Sequence, residues 1–119
     1  MQPPVRFYIN GRAHFVSVST WNRLLGPKPP ERYACDGCTG VPDSMWSFDV
    51  WPACVIHDWH YDPDGPEIRR WVSDIVFGLN CYITLRIKGA GRILSASTAW
   101  SYYKGVAFLG APFFKRFSR

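Results

Sequence analysis

The sequence predicts a mainly α-helical fold that opens on an N-terminal β-hairpin. Three observations carry this expectation. Asn10-Gly11 separates two apolar-polar runs. Pro52 and the stretch Asp62-Pro63-Asp64-Gly65-Pro66 bracket a short helical segment. Trp71, Ile75, Leu79 and Tyr82 then recur at helical spacing.

Each element follows from its residues. Val5 to Val18 reads as the hairpin, because Asn-Gly supplies the two positive-φ positions that a tight turn requires. Pro27, Pro29 and Pro30 make 25–32 a loop, and the small residues of Cys35 to Pro42 make a second, Gly-rich one. Pro52 suits a first helical turn, so a helix is expected over Ala53 to Tyr61. A second is expected from Glu67 to about Leu85, broken by Gly89 and Gly91, and a third from Ile93 to Leu109, ending near Gly110-Ala111-Pro112. The first two should pack antiparallel about the five-residue turn. A length of 119 residues suits one domain. It divides into a hairpin over 1–20, a loop and helical core over 33–110, and a basic aromatic tail over 111–119. Trp46, Trp51, Trp59, Trp71 and Trp100 are candidates for the core.

Hydrophobic residues make up 47% of the chain and aromatics 17%, enough apolar surface to argue against disorder. The formal charge of +5 favours anionic partners without choosing among them. No motif beyond that charge supports nucleic-acid binding, which is not expected. The first residues show no signal peptide, and no apolar run reaches the about 18 residues that span a bilayer. Synthesis in a host cytoplasm is therefore expected, with association to a virus particle as the other possibility. The four cysteines are sparse for a secreted disulfide framework. Cys35-Asp36-Gly37-Cys38 has zinc-knuckle spacing, which Cys54 and His57 or His60 would complete.

The chemistry concentrates in Cys54-Val55-Ile56-His57-Asp58-Trp59-His60-Tyr61. On a helix, Cys54, His57, Asp58 and Tyr61 share a stripe. His57 suits a general base and Asp58 suits a hard cation. Asp74, 17 residues beyond His57, would return beside it across the helical turn and fix its tautomer. Carbonyls of the Gly-rich loop can converge on a cation, with Asp36 adding a carboxylate.

Cys-x-x-His-Asp-x-x-Tyr at 54–61 resembles the active-site helix of the phospholipase A2 superfamily, including its short viral and bacterial members. The resemblance implies antiparallel helices of that type and calcium-assisted hydrolysis of a phospholipid ester. His57 would be the base that activates water, Asp58 a calcium ligand, and Tyr61 and Asp74 the groups that hold His57. Thr39 and Gly40 would supply loop carbonyls to the calcium. A Cys38–Cys54 bridge would match the secreted members. His60 stands where those members carry a second cysteine. From the loop onward the chain is also similar to a tailed-phage domain family of unknown function. That likeness runs through Asp36-Gly37-Cys38-Thr39-Gly40-Val41-Pro42, Pro52-Ala53 with His57-Asp58 and Tyr61, Asp74, and Tyr102-Tyr103 with Val106 and Gly110.

These readings lead to a phage- or virus-encoded phospholipase A2-like hydrolase. Its partners would be a phospholipid membrane surface, met by the basic aromatic tail, and other virion proteins. Two alternatives stand beside it. One is a non-catalytic virion protein that keeps the fold. The other is a zinc-binding protein using His57, His60, Asp58 and Cys54.

Overall fold

The computed structural model describes residues 3–9, 11–31, 33–35 and 50–115, with the side chains of Cys35 and Phe113 excepted. It is mostly helical. Strands β1 (Val5–Ile9) and β2 (Arg12–Val16) form an antiparallel hairpin in which Ile9 faces Arg12 and Val5 faces Val16. Helix α1 (Val18–Arg23) follows at once. The hairpin expected over 1–20 therefore ends at Val16, and 18–20 are helical. Ser17 explains this: its Oγ accepts from the Thr20 amide at 3.2 Å and caps the helix. A two-residue strand, β3 (Ala34–Cys35), pairs in parallel with β1, giving a sheet of order β2-β1-β3.

Three longer helices follow, α2 (Trp51–Tyr61), α3 (Arg70–Ile87) and α4 (Arg92–Leu109), and a 3-10 turn over Ala111–Phe113 comes after them. The expected helix from Glu67 begins three residues later, at Arg70. The Lys115 ammonium takes the carbonyls of Asp62 (3.0 Å) and Pro66 (2.8 Å), which holds the 62–66 turn folded back. Pro66 O, which a helix begun at Glu67 would use, is thereby turned aside. Lys115 and Phe114 thus brace the structure, with the Phe114 ring edge-on to Tyr61 at 5.0 Å. Residues 116–119 of the expected tail lie outside the described residues.

Helix α2 is the centre of the molecule. Pro52 through His57, His60 and Tyr61 are all buried. On one side, Val55 and Ile56 join Phe7, Ile9, Val16, Trp21 and Leu24 of the sheet and α1. On the other, Ala53 and Cys54 join Phe77, Cys81 and Leu85 of α3 and Ala99, Tyr102 and Val106 of α4. A helix covered on both sides accounts for an apolar run with little amphipathic contrast.

Helix α3 is inverted in polarity. It buries Ser73, Asp74, Asn80 and Thr84 beside Phe77, Cys81 and Leu85, and turns Trp71, Ile75 and Leu79 outward. Of the residues whose spacing predicts this helix, Trp71, Ile75 and Leu79 therefore mark its outer face, while Tyr82 packs partly against the core. Two core candidates are corrected with it: Trp71 and Trp100 are exposed, whereas Trp21 is buried. Trp46 lies outside the described residues.

Candidate functional site

The site is built where α2 and α3 cross beneath the end of α4. His57 Nε2 lies 2.9 Å from Asp74 Oδ1, and the Tyr61 hydroxyl donates to the same oxygen at 2.7 Å. Arg70 Nη1 reaches Asp74 Oδ2 at 3.3 Å and donates to Ala107 O at 3.2 Å. Helical spacing sets this up twice. His57 and Tyr61 are one turn apart on α2, as Arg70 and Asp74 are on α3. The Asp74 carboxylate therefore gathers three donors while only 2% exposed, which is what a buried anion requires.

The partners determine the protonation states. A carboxylate only accepts, so His57 Nε2 carries the proton it shares with Asp74 and Nδ1 is the basic nitrogen. Arg70 balances the Asp74 charge, which leaves no electrostatic demand for an imidazolium. Burial pushes the His57 pKa below its ordinary value, against the opposing pull of the Asp74 hydrogen bond and charge. The Tyr61 hydroxyl is pushed up, first by burial and then by Asp74, so it stays a donor. The rings of Tyr61 and Phe77, at 4.3 and 4.7 Å between centroids, fix the imidazole plane.

Asp58 faces elsewhere. The stripe expected along α2 divides, with His57 and Tyr61 turned to α3 and Asp58 turned toward Tyr33. The Tyr33 hydroxyl lies 2.9 Å from Asp58 Oδ2 and 3.0 Å from Asp62 Oδ2, one turn apart. Burial and then Asp58 raise the Tyr33 pKa. Asp58 and Asp62 offer oxygen ligands of the type calcium accepts. The expected loop donors Asp36, Thr39 and Gly40 lie outside the described residues, and among the described residues no group of three or more His, Cys, Asp or Glu could hold a metal ion. Calcium therefore fits the Asp58 donors in kind, but not in number among the residues described.

His60 has its own task. Its Nε2 donates to Pro27 O at 2.9 Å, so Nδ1 is the acceptor for Ser73 Oγ at 3.2 Å. Gly26, at φ +85°, lets the loop close on the ring, since a Cβ there would lie 2.9 Å from His60 Cε1. Cys54 is disulfide-bonded, and its partner lies outside the described side chains. Neither residue offers a lone pair to zinc in this arrangement. Cys81 is a free, buried thiol whose pKa burial raises.

The His60 pKa is lowered to about 4, chiefly by burial. Both buried rings take up protons more readily in the unfolded chain. Their contribution to stability is complete above the ordinary imidazole pKa and is lost as pH falls below it, for His60 down to about 4. The urea midpoint should drop between pH 7.5 and 4.5, with His60 contributing roughly 2 kcal/mol. His60→Gln should flatten that drop. Equal slopes for the two proteins would show that His60 is not held neutral.

Sequence reasoning placed His57, Asp74 and Tyr61 together. It missed Tyr33, Asp62, Arg70 and Lys115. Arg70 was the most legible of these, because Arg-x-x-x-Asp on one helix face is an ion-pair spacing. Tyr33 and Lys115 reach the site from distant segments and carry no local signal. Comparisons with family models, with curated proteins and with solved structures find no match for this chain.

Proposed function

We propose that this chain is a phospholipase A2-like ester hydrolase, encoded by a phage or virus, in which His57 is the general base. The observation that supports this reading best is the shared Asp74 oxygen. One carboxylate orients the imidazole through Nε2 and is itself held by the Tyr61 hydroxyl, which leaves Nδ1 to accept a proton from water.

Under this reading, the water that attacks the ester carbonyl passes a proton to Nδ1, Asp74 stabilises the imidazolium as it forms, and Nδ1–H gives that proton to the departing alkoxide as the ester C–O bond breaks. The lowered His57 pKa keeps the base free at neutral pH. Arg70 supplies the countercharge beside Asp74. Asp58, with Asp36 and carbonyls of Thr39 and Gly40, would hold calcium, which polarises an ester carbonyl when bound. His57 is 1% exposed in this state, so the reaction needs the site to open. A disulfide at Cys54 suits an oxidising setting, and so a released virus particle better than a host cytoplasm.

That same burial favours a second reading, a non-catalytic virion protein in which His57, Asp74, Tyr61 and Arg70 form a polar brace. Fatty-acid release from phospholipid micelles separates the two, measured with calcium, with zinc and with chelator. The hydrolase reading expects calcium-dependent release that chelator abolishes. It expects His57→Ala to lose at least about a hundredfold, the scale of general-base catalysis, while staying folded. No release under any metal, with His57→Ala only less stable, leaves the brace.

A further inference from the structure

The outer side of the α3–α4 pair has the wrong polarity for a water-facing surface. Trp71, Ile75 and Leu79 stand outward on α3 while its polar residues are buried. On α4, Ile93 is 86% exposed, Phe108 81% and Trp100 58%. Ile93, Trp100, Lys104 and Phe108 follow at steps of seven, four and four residues, which are whole helical turns, so they form a single outward stripe. Between the helices runs an open groove of about 430 Å³, lined by Ile75, Leu79 and Tyr82 on one wall and Trp100 and Tyr103 on the other. Single exposed apolar side chains need no explanation, whereas a continuous stripe and groove on two adjacent helices does.

The charges around this face narrow what can cover it. From Arg70 to Leu109 the cations are Arg70, Arg86, Lys88, Arg92 and Lys104, and the one acid is Asp74. Asp74 is buried and bound to Arg70. The exposed charges carried by α3 and α4 are therefore all cationic, and the nearest exposed acids in sequence, Asp64 and Glu67, lie in the segment before α3. A second copy laid on this face would bring Arg86, Lys88, Arg92 and Lys104 against like charges, which disfavours self-association. Nucleic acid would supply the negative charge but would leave Ile93, Leu79 and Phe108 without apolar cover. A bilayer rich in anionic headgroups supplies both, with phosphates for the cations and acyl chains for the apolar stripe.

The side-chain arrangement suits that boundary. Trp100 and Tyr103 are stacked at 5.5 Å, and the Lys104 ammonium lies 5.8 Å from the centre of the Trp100 ring. Aromatic plates beside a lysine whose head reaches back to the phosphates are the usual composition of an interfacial helix. Among the described residues no helix is long and apolar enough to cross a membrane, so the geometry is that of a helix pair lying on the surface.

We propose that the outer face of α3 and α4 docks on an anionic lipid bilayer. This does not rest on the hydrolase reading, because His57 meets the opposite flank of α3, at Asp74 and Phe77. The test is sedimentation with vesicles of phosphatidylcholine alone and of phosphatidylcholine mixed with phosphatidylglycerol, with chelator present so that calcium-dependent hydrolysis plays no part. The expected result is binding to the mixed vesicles that weakens with salt and falls roughly tenfold or more in Trp100→Ser and in Phe108→Ser. Both residues are exposed, and circular dichroism checks that the variants are folded. Three results would each overturn the proposal: no binding to mixed vesicles, equal binding to both vesicle types, or binding that neither variant weakens. So would a wild-type dimer that the same substitutions turn into monomer, which would mark the face as a contact between copies.

Discussion

Asp74→Ala is expected to cost about 3–5 kcal/mol of folding stability, the range for removing one partner from a buried charged network. The reason lies in what remains. His57 Nε2 and the Tyr61 hydroxyl both point at Asp74 Oδ1 from buried positions, and each would lose its acceptor in a space closed to water. Arg70, which is partly exposed, can turn to solvent, so most of the loss falls on the two buried donors. Asp74→Asn should recover about half of the loss, because its amide oxygen can still accept from both while the pairing with Arg70 is gone. Urea unfolding of the three proteins measures this directly. A loss below about 1 kcal/mol for Asp74→Ala would mean that the four side chains do not act as a network. In fatty-acid release, both variants should fall with His57→Ala if His57 is a base, since both remove the negative charge that stabilises the imidazolium and Asp74→Ala also removes the acceptor that orients the ring.

Gly110→Ala should cost about 2–3 kcal/mol, at the upper end of overpacking changes. The backbone there, at φ −80°, accepts any residue, so the penalty is steric. A Cβ at this position would lie 2.5 Å from both Tyr61 Oη and Val106 O. The Val106 carbonyl is helical backbone and cannot retreat far, so that clash persists, and only the clash with Tyr61, which is tied to Asp74, can be relieved by a side chain. Glycine at the end of α4 is thus what allows that helix to close over the site. A double-mutant cycle with Tyr61→Phe provides the check, since removing the hydroxyl removes the nearest side-chain clash. The two substitutions together should cost clearly less than their sum. Strict additivity would show that Tyr61 is not the atom in the way.

Both expectations depend on contacts between segments far apart in the chain, and this divides what could be read early from what could not. The hairpin over Asn10-Gly11, the helix after Pro52 and its stop at Asp62–Pro66 follow from local chemistry: turn residues with positive φ, a proline placed where its missing amide costs nothing, and breakers in series. The meeting of His57, Asp74 and Tyr61 was also legible. Two helices joined by a short turn must run back along one another, and helical period then decides which residues meet. The start of α1 was written in Ser17, but the alternation of Val16, Val18 and Thr20 with serines continues the strand pattern and masked the cap.

Other features had no local signature. The spacing of Trp71, Ile75, Leu79 and Tyr82 announces a helix and says nothing about which side of it is inward. Only packing shows that the polar side of α3 turns inward, where Asp74 meets His57 and Tyr61 of α2 and Asn80 meets the backbone of Leu25. Asn80 holds both backbone groups of Leu25, accepting at 2.7 Å and donating at 3.1 Å across 55 positions of sequence. The division of the α2 stripe has the same origin. Asp58 turns toward Tyr33 and Asp62, while His57 turns toward Asp74. By itself, then, the sequence determined the hairpin, the succession of α2, α3 and α4, and the dyad of His57 with Asp74. The tertiary structure alone decided which face of α3 meets solvent, that Arg70 carries the countercharge, and that Lys115 locks the turn. Local conformation is set by neighbours a few residues away, whereas burial and charge balance are set by whatever the folded chain brings into contact.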